Sequence, residues 1–474
     1  MTLVAGIDSS TQSCKVSVRD LATGREVRGG RADHPPETVV DPEVWWIALL
    51  TAVERAGGLH DVEAVSVHGQ QHTPVFLDEH GEVVCASPLW NDTGSHAHMM
   101  ALNAELGRTE WIRRTGLPLT LSDTVAKLRW LRDTDLDSTR RTAAVAMVHD
   151  WLTWRLRGFG PDHGDLEELT TDRSDACGTG YWDPTSGRWA PDLFEHAFGR
   201  RAQLPRILGP RETAGVTGTG IPGIRAGTPV GVGGGDNAAA ALALGIGTGD
   251  AVMSLGTSGV VFTSSSEPMH DLAGYVCNYA DAEGGHQPLV ATLNAARNFH
   301  AGASLLGCSH DELSALALRS APGAGGLTLL PFFETERTPD LPHARASLHQ
   351  ASLANLTREN FARAVVEGTL VSQVAMLDAL SACALPVDRL LLVGGAARSA
   401  AVREILPQLV DVPVILPEAD EYVSRGSAMQ AACALSGDFP DWRFRSRALP
   451  AVERAHVVAE QRSEAMEALG YETV

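Results

Sequence analysis

One pattern occurs twice in this chain, and it limits the folds open to it. Residues 3–7 read as a short buried strand, residues 8–13 (Asp-Ser-Ser-Thr-Gln-Ser) as a donor-rich loop, and Cys14 to Arg19 as a return strand with Val16 and Val18 on one face. Near residue 250 the design restarts. Asp250 to Ser254 is a strand, Leu255-Gly256-Thr257-Ser258-Gly259 a tight loop, and Val260 to Thr263 the return strand. The letters differ, so the repeat is one of architecture. Such loops gather N–H and hydroxyl donors and suit a phosphate, although Ser and Thr also turn ordinary hairpins. Two of them facing each other would grip a polyphosphate from both sides.

Between the copies lies Val230-Gly231-Val232-Gly233-Gly234-Gly235-Asp236-Asn237, followed by a small-residue helix from Ala238 to Leu244. Three glycines let a backbone pass close to a ligand, because no Cβ stands in the way. Two readings fit the carboxylate at the mouth of this turn: a general base, or a cap on the helix. Gly245 to Gly249 reads as a linker.

The remaining segments alternate between strands and helices. Asp41 as N-cap, Pro42 at the first helical position and Gly57 past the end bracket a helix with Trp46, Leu49, Leu50 and Val53 at helical spacing. A strand over Val62–Val67 ends in His68-Gly69-Gln70-Gln71-His72-Thr73, and Pro88-Leu89-Trp90-Asn91-Asp92 follows a hairpin. Amides, an imidazole and a carboxylate beside a Trp face suit a polyhydroxylated ligand, and surface loops can look the same. Residues 96–160 read mostly helical, and Asp172 to Gly178 as a polar turn segment. An apolar run, Leu327 to Phe333, ends in Glu334-Thr335-Glu336-Arg337-Thr338-Pro339, and a long helix follows from Arg358 to about Ala384. Leu390 to Val393, Gly394-Gly395-Ala396-Ala397-Arg398-Ser399, a helix to Leu409 and a strand over Val412–Leu416 form a β–turn–α–β unit of nucleotide-binding style. The last helix is expected near Ser424, with the rest of the tail as amphipathic surface.

The length, 474 residues, calls for two or three domains. A net charge of −20 argues against nucleic acid as a partner, because a phosphate backbone needs a basic face. Lys15 and Lys127 are the only lysines, which looks like coding bias and excludes a P-loop. Seven scattered Cys without a C-x-x-C pair form neither a disulfide framework nor a structural zinc site. The start runs straight into a strand with no basic leader, and the most apolar stretch, near Ala238 to Ile246, is too short to span a bilayer. The expected compartment is the cytoplasm, with no membrane partner.

Taken in order, these residues resemble the FGGY carbohydrate kinases. The likeness rests on Gly6-Ile7-Asp8-x-x-Thr11, Asp41-Pro42-Glu43-x-Trp45-Trp46, Gly69-Gln70-Gln71-His72, Leu89-Trp90-Asn91-Asp92 and Asp172-x-x-Asp175-Ala176-x-Gly178-Thr179. It continues through Gly233 to Asn237, Ser254 to Gly259, Glu336-Arg337-Thr338-Pro339, Glu367-Gly368 and Gly394-Gly395-x-Ala397-Arg398-Ser399. The resemblance implies an α/β fold of two ribonuclease-H-like domains of the actin, sugar kinase and Hsp70 type, 1–245 and 246–474, with a cleft between them. It implies phosphoryl transfer from ATP with Mg²⁺ to the terminal hydroxyl of a ketopentose, D-xylulose first.

By the same resemblance Asp236 is the catalytic base and Asp8 the metal-binding carboxylate. Gln71, His72, Trp90, Asn91, Asp92, Asp236 and Asn237 bind sugar. Ser10, Thr11, Gln12, Gly256, Thr257, Ser258, Gly394, Gly395, Ala396, Arg398 and Ser399 bind ATP. The glycines before Asp236 then read as room for the phosphoryl group. Thr93-Gly94-Ser95 stands where the family often has an Arg, Thr73 where Gly is common, and Thr335 and Ala396 replace glycines. The alternatives are a sibling kinase for another ketose, a sugar acid or a polyol, and an actin- or Hsp70-type ATPase with no sugar acceptor. A homodimer is left open.

Overall fold

The computed structural model describes residues 1–161 and 163–471. Its first half builds one sheet. The strands are β1 (Leu3–Ser9), β2 (Ser13–Asp20), β3 (Glu26–Asp33), β4 (Val62–Gly69), β5 (Thr213–Val216), β6 (Pro229–Gly231) and β7 (Gly234–Gly235), in the order β5-β6-β4-β1-β2-β3 with β7 also on β4. β1, β2 and β3 form an antiparallel meander, while β4 runs parallel to β1 and to β6. Every β1 residue is buried, as a central strand covered on both faces requires. The helices that matter here are α1 (Glu43–Arg55), α2 (Thr124–Thr134), α3 (Val148–Leu156), α4 (Arg173–Cys177) and α5 (Asp236–Leu244).

The second half repeats the plan with β8 (Gly249–Leu255), β9 (Gly259–Thr263), β10 (Cys277–Ala280), β11 (His286–Thr292), β12 (Val387–Val393), β13 (Val414–Pro417) and β14 (Ser446–Ala448). The order is β10-β11-β9-β8-β12-β13-β14. Thus β3-β2-β1-β4-β6 in one half matches β11-β9-β8-β12-β13 in the other: three antiparallel strands, then two parallel ones. The repeat read from the sequence is a repeat of topology. The helices are α6 (Ala296–Leu306), α7 (Arg358–Ala382), α8 (Ala400–Ile405), α9 (Tyr422–Ser436) and α10 (His456–Ala468).

α9 does not stay with its own half. Ile7 N donates to Ser427 Oγ at 3.2 Å, and the Ser427 hydroxyl donates to the Ser66 carbonyl at 2.8 Å, which lays α9 across β1 and β4. A Cβ on Gly426 would meet the Ala239 carbonyl at 2.0 Å, so α9 and α5 cross at backbone contact. Opposite, strand β10 reaches the first half: Asn278 N donates to the Gly116 carbonyl at 2.9 Å, and Ala280 N to Cys177 Sγ at 3.2 Å.

Several expectations need correction. The α1 helix starts one residue later than expected, with Pro42 flanking it and Asp41 Oδ1 accepting from Glu43 N at 2.9 Å. Its buried face is Trp45, Ala48, Leu49, Ala52 and Val53, while Trp46 stacks outside under the Arg155 guanidinium. Asp172 to Gly178 is not a turn segment. It is the short helix α4, capped by the Asp172 carboxylate, which accepts from Ser174 N and Asp175 N. The tail beyond α9 is not plain surface, because α10 buries Ala465 and Met466. Among the described residues one helix, α7, passes for a membrane span by length and composition, but 83% of its apolar window is buried inside the protein. That marks it as a core helix, longer than the stretch near Ala238 and less apolar.

Candidate active site

Asp8, near the end of β1, is 2% exposed. The Ser10 hydroxyl donates to Asp8 Oδ1. Lys15, across the hairpin from Asp8, brings Nζ to 3.9 Å of Asp8 Oδ2 and 2.5 Å of Glu421 Oε2. Burial pushes Asp8 up to about 6 against the pull of Ser10 and Lys15. Asp236 is the first residue of α5 and is half-buried. Burial, and then the charge of Asp8, push it up to about 7. Two carboxylates therefore share a partly dry site, a common mark of a functional centre.

The helix-cap reading fails in its literal form. The cap position is Gly235, which has no side chain to accept a bond, and Asp236 lies one residue inside. Asp236 Oδ1 accepts from Asn237 N at 2.8 Å and Asn237 Nδ2 at 3.2 Å. The glycines also differ from expectation. At Gly233 (φ 79°) a Cβ would strike the Val67 carbonyl at 2.3 Å and the His149 ring at 2.7 Å. At Gly235 it would strike the Gln71 side chain at 2.5 Å. The missing side chains make room for β4, α3 and Gln71, not for a phosphoryl group. They press the turn flat onto the sheet, and Asp236 follows at a fixed place.

Gln71 ties the expected sugar cluster together. Its Nε2 donates to the Ser174 carbonyl at 2.7 Å, and its Oε1 accepts from Asn237 Nδ2 at 3.2 Å. Ser174 Oγ accepts from Gly235 N at 2.9 Å. His72 (φ 67°) places Nδ1 2.6 Å from the Gly178 carbonyl, to which that nitrogen donates. Nε2 is then the acceptor, 3.4 Å from the Tyr279 hydroxyl of β10. Burial, and then the charge of Lys127, hold His72 down at about 3, so the ring is neutral. Trp90 Nε1 donates to Thr11 Oγ1 at 2.8 Å, which joins the expected sugar cluster to the first donor-rich loop. Asp92 accepts from Thr38 Oγ1 and Gly94 N, both at 2.8 Å, and Asn91 is exposed. His68 is not part of a loop. It lies within β4, fully buried, where desolvation takes it down to about 3.

In the second half, Gly256 O accepts from Ala296 N at 3.0 Å, and Thr257 is exposed at the loop tip. Gly394 (φ 93°) needs to be glycine, since a Cβ would meet the Leu255 backbone at 2.6 Å. A Cβ on Gly395 would meet nothing within 4 Å, so this backbone lies open. Ala396 is half-buried, Arg398 is exposed, and Ser399 Oγ caps α8. Gly394, Gly395, Ala397 and Arg398 line a cavity of about 660 Å³ with Glu418, Asp420, Glu421 and Tyr422. It lies outside the carboxyl ends of β12 and β13, where open α/β sheets hold ligands. Ser10 and Gln12 flank Thr11 in the first loop, Ser10 half-buried and Gln12 exposed.

Some functional candidates were missed. Behind the glycine turn, His149 Nδ1 lies 2.5 Å from Asp175 Oδ2 and His149 Nε2 3.3 Å from Asp150 Oδ1, all three groups buried. Lys127 is fully buried, donates to the Ser122 carbonyl, and is pushed down to about 7 by desolvation against the pull of Asp123 and Asp92. Arg337 stands beside Tyr279, with Nη2 4.0 Å from Cys277 Sγ. A signal for Lys127 was present. Both lysines of an arginine-rich chain sit in the site, where a compact ammonium is not interchangeable with a guanidinium.

The chain has clear relatives. Residues 3–243 match the FGGY family of carbohydrate kinases, N-terminal domain, and residues 251–435 match its C-terminal domain. A xylulose kinase of Streptomyces rubiginosus is 39% identical over 447 residues, 92% of this chain and 89% of its own length. A xylulose kinase of Streptomyces coelicolor is 41% identical over 445 residues, with 92% and 89% covered. The crystal structure of xylulose kinase from Bifidobacterium adolescentis superposes with a TM-score of 0.92 at 41% identity, covering 98% of this chain and 99% of that one. The duplicated sheets, the paired phosphate-type loops and these matches lead to one conclusion: the chain belongs to the FGGY family of carbohydrate kinases, enzymes that take ATP as phosphoryl donor and a sugar as acceptor.

Proposed function

We propose that the protein phosphorylates D-xylulose at its terminal hydroxyl to give D-xylulose 5-phosphate, with Asp236 as general base. The observation that carries this reading is the carboxylate of Asp236, half-buried, raised to about 7 and fixed between the acceptor cluster and Asp8. A base with that value is ionised in a large fraction near neutrality and still strong enough to take a proton. Relatives named xylulose kinase at 39–41% identity support the acceptor.

In this scheme Gln71, His72, Trp90, Asn91, Asp92 and Asn237 orient the sugar so that its terminal hydroxyl meets Asp236. The hydroxyl oxygen attacks the γ-phosphorus as Asp236 accepts its proton, and ADP leaves. Phosphoryl transfer has a loose transition state, so positioning and electrostatics supply most of the rate. Ser10, Thr11, Gln12, Gly256, Thr257 and Ser258 offer donors to the phosphates. The turn Gly394, Gly395, Ala396, Arg398 and Ser399 takes the adenosine end.

Asp8 would hold Mg²⁺, which when bound neutralises phosphate charge. The site suits it, because Asp8 and Asp236 crowd two carboxylates together with one nearby ammonium, and an oxygen-rich anionic pocket is what a hard cation requires. The working units are 1–245 and 246–474, joined where α9 crosses α5, and the expected compartment is the cytoplasm.

The test is turnover of ATP by purified protein with Mg²⁺ and a panel of ketoses, sugar acids and polyols. Sugar-dependent ADP release, fastest with D-xylulose, is the expected result. Faster turnover of another acceptor would overturn the specific reading. ATP hydrolysis indifferent to every sugar would favour an actin- or Hsp70-type ATPase.

A further inference from the structure

The motif Glu336-Arg337-Thr338-Pro339 has found no role so far, yet it comes from the second half and reaches the acceptor side of the cleft. Its backbone is held firmly. The buried Glu336 carboxylate accepts from Thr292 Oγ1 at 2.5 Å, Leu293 N at 2.9 Å, Asn294 Nδ2 at 2.9 Å and Arg337 N at 2.7 Å. This knot presents the Arg337 side chain, half-buried, beside Tyr279 and Cys277 of β10. Tyr279 in turn meets the acceptor-side His72, its hydroxyl 3.4 Å from Nε2 and the rings edge to face at 5.9 Å.

Arg337 differs from three buried arginines of the chain. Arg19 and Arg425 pair with Asp420, and Arg363 with Glu367, while among the described residues the buried Arg462 of α10 shares with Arg337 the lack of a carboxylate within 4.0 Å. Among the described residues, Arg337 has no carboxylate within 4.0 Å, and its side-chain neighbours are Cys277 Sγ, at a long 4.0 Å, and Tyr279. A guanidinium withdrawn from water is normally paired, because its desolvation is costly otherwise. Donors fixed in a cleft and left without a carboxylate suit ligand oxygens. Contacts give the order along the cleft: Asp236 bonds Asn237, Asn237 bonds Gln71, His72 adjoins Gln71, and Tyr279 with Arg337 stands beyond His72.

We propose that Arg337, with Tyr279 beside it, is a specificity-determining residue that donates to the acceptor's oxygens on C1 and C2, the end remote from the hydroxyl that Asp236 deprotonates. The inference rests on the ketose kinase reading above and deepens it. Because Arg337 belongs to the second half and His72 to the first, an acceptor held by both also ties the two halves together. A site built to bond an oxygen rejects an analogue lacking it, since its donors are left unpaired.

The test compares Arg337→Met with wild type on three acceptors: D-xylulose, 1-deoxy-D-xylulose, which lacks the C1 oxygen, and xylitol, which lacks the carbonyl. The expected result is a KM for D-xylulose raised about 10-fold or more, a KM for ATP within about 2-fold, and a penalty that disappears with at least one analogue. Arg337→Lys should recover part of the loss, and Tyr279→Phe should raise the same KM less. A penalty of equal size on all three acceptors, or an unchanged KM for D-xylulose, overturns the proposal. A parallel rise in the KM for ATP assigns Arg337 to the fold of the cleft instead and also overturns it. Wild-type turnover separates the two readings. If wild type ignores D-xylulose, the ketose reading fails by itself, and the ratio of Arg337→Met to wild-type KM on the acceptor it does use still decides the role of Arg337.

Discussion

The two hairpins that open the two halves have the same topology and opposite chemistry. In the first, Asp8 lies across the ladder from Lys15 and beside His68 of the parallel strand. In the second, Ser254 lies across from Val260 and beside Val393. One copy therefore carries a buried carboxylate with its counter-charge, and the other only backbone and hydroxyl donors. The duplicated fold supplies two loops aimed at one cleft, and side chains then divide the labour. In the proposed scheme the first loop manages charge near the reacting atoms, and the second cradles phosphate with neutral dipoles, which need no counter-ion when the ligand is absent.

That contrast can be broken at several points. Asp8→Ala should cost most, about 100-fold to 1000-fold in kcat, because the charged copy loses its carboxylate at the phosphates. Saturating acceptor should not restore the rate, and a loss under about 5-fold would erase the distinction between the loops. Gly233→Ala is next. It forces a side chain into Val67 and His149 at a left-handed backbone, so a destabilisation of about 2–4 kcal/mol is expected in denaturant titrations. Thr257→Val removes one hydroxyl from the neutral loop and should raise the KM for ATP about 10-fold, with the KM for sugar little changed. Ser254→Ala, at the position matching Asp8, should change kcat and both KM values by no more than about 3-fold. A large effect there would mean that the second copy also acts through its strand-end side chain.

Much of this architecture was legible in the sequence because local patterns carried it. Alternating strands, donor-rich loops and the Gly-Gly turns specified both hairpins and the β–turn–α–β unit without tertiary information. Local patterns are silent where the outcome depends on distant partners. The glycines before Asp236 suggest space for a ligand, but their neighbours are β4, α3 and Gln71, whose contacting residues lie 84 to 166 positions upstream in the chain. The segment 172–178 looked like a turn because five residues are too few for a helical period, and Asp172 closes that helix with a cap. Lys127 is visible only as one of two lysines, Arg337 only as part of a motif with no role attached, and His149 not at all, because each gains meaning from what packs against it.

The pH dependence of stability gives a check that needs no substrate. The folded value of Asp236 lies above its ordinary one of 3.8, at about 7. The folded protein thus holds a proton that the unfolded chain gives up, so this group costs stability as pH rises between about 4 and 7. In ligand-free protein Asp236→Asn should melt higher than wild type at pH 8, and the gap should close toward pH 4.

The most direct test of the central claim is phosphoryl transfer by Asp236→Ala, measured beside its affinity for ATP in the absence of sugar. The account predicts a kcat lower by about 100-fold to 10,000-fold, as loss of a general base requires, with ATP affinity within about 2-fold of wild type. Transfer that survives at near wild-type rate, or a loss of transfer matched by an equal loss of ATP binding, would contradict it.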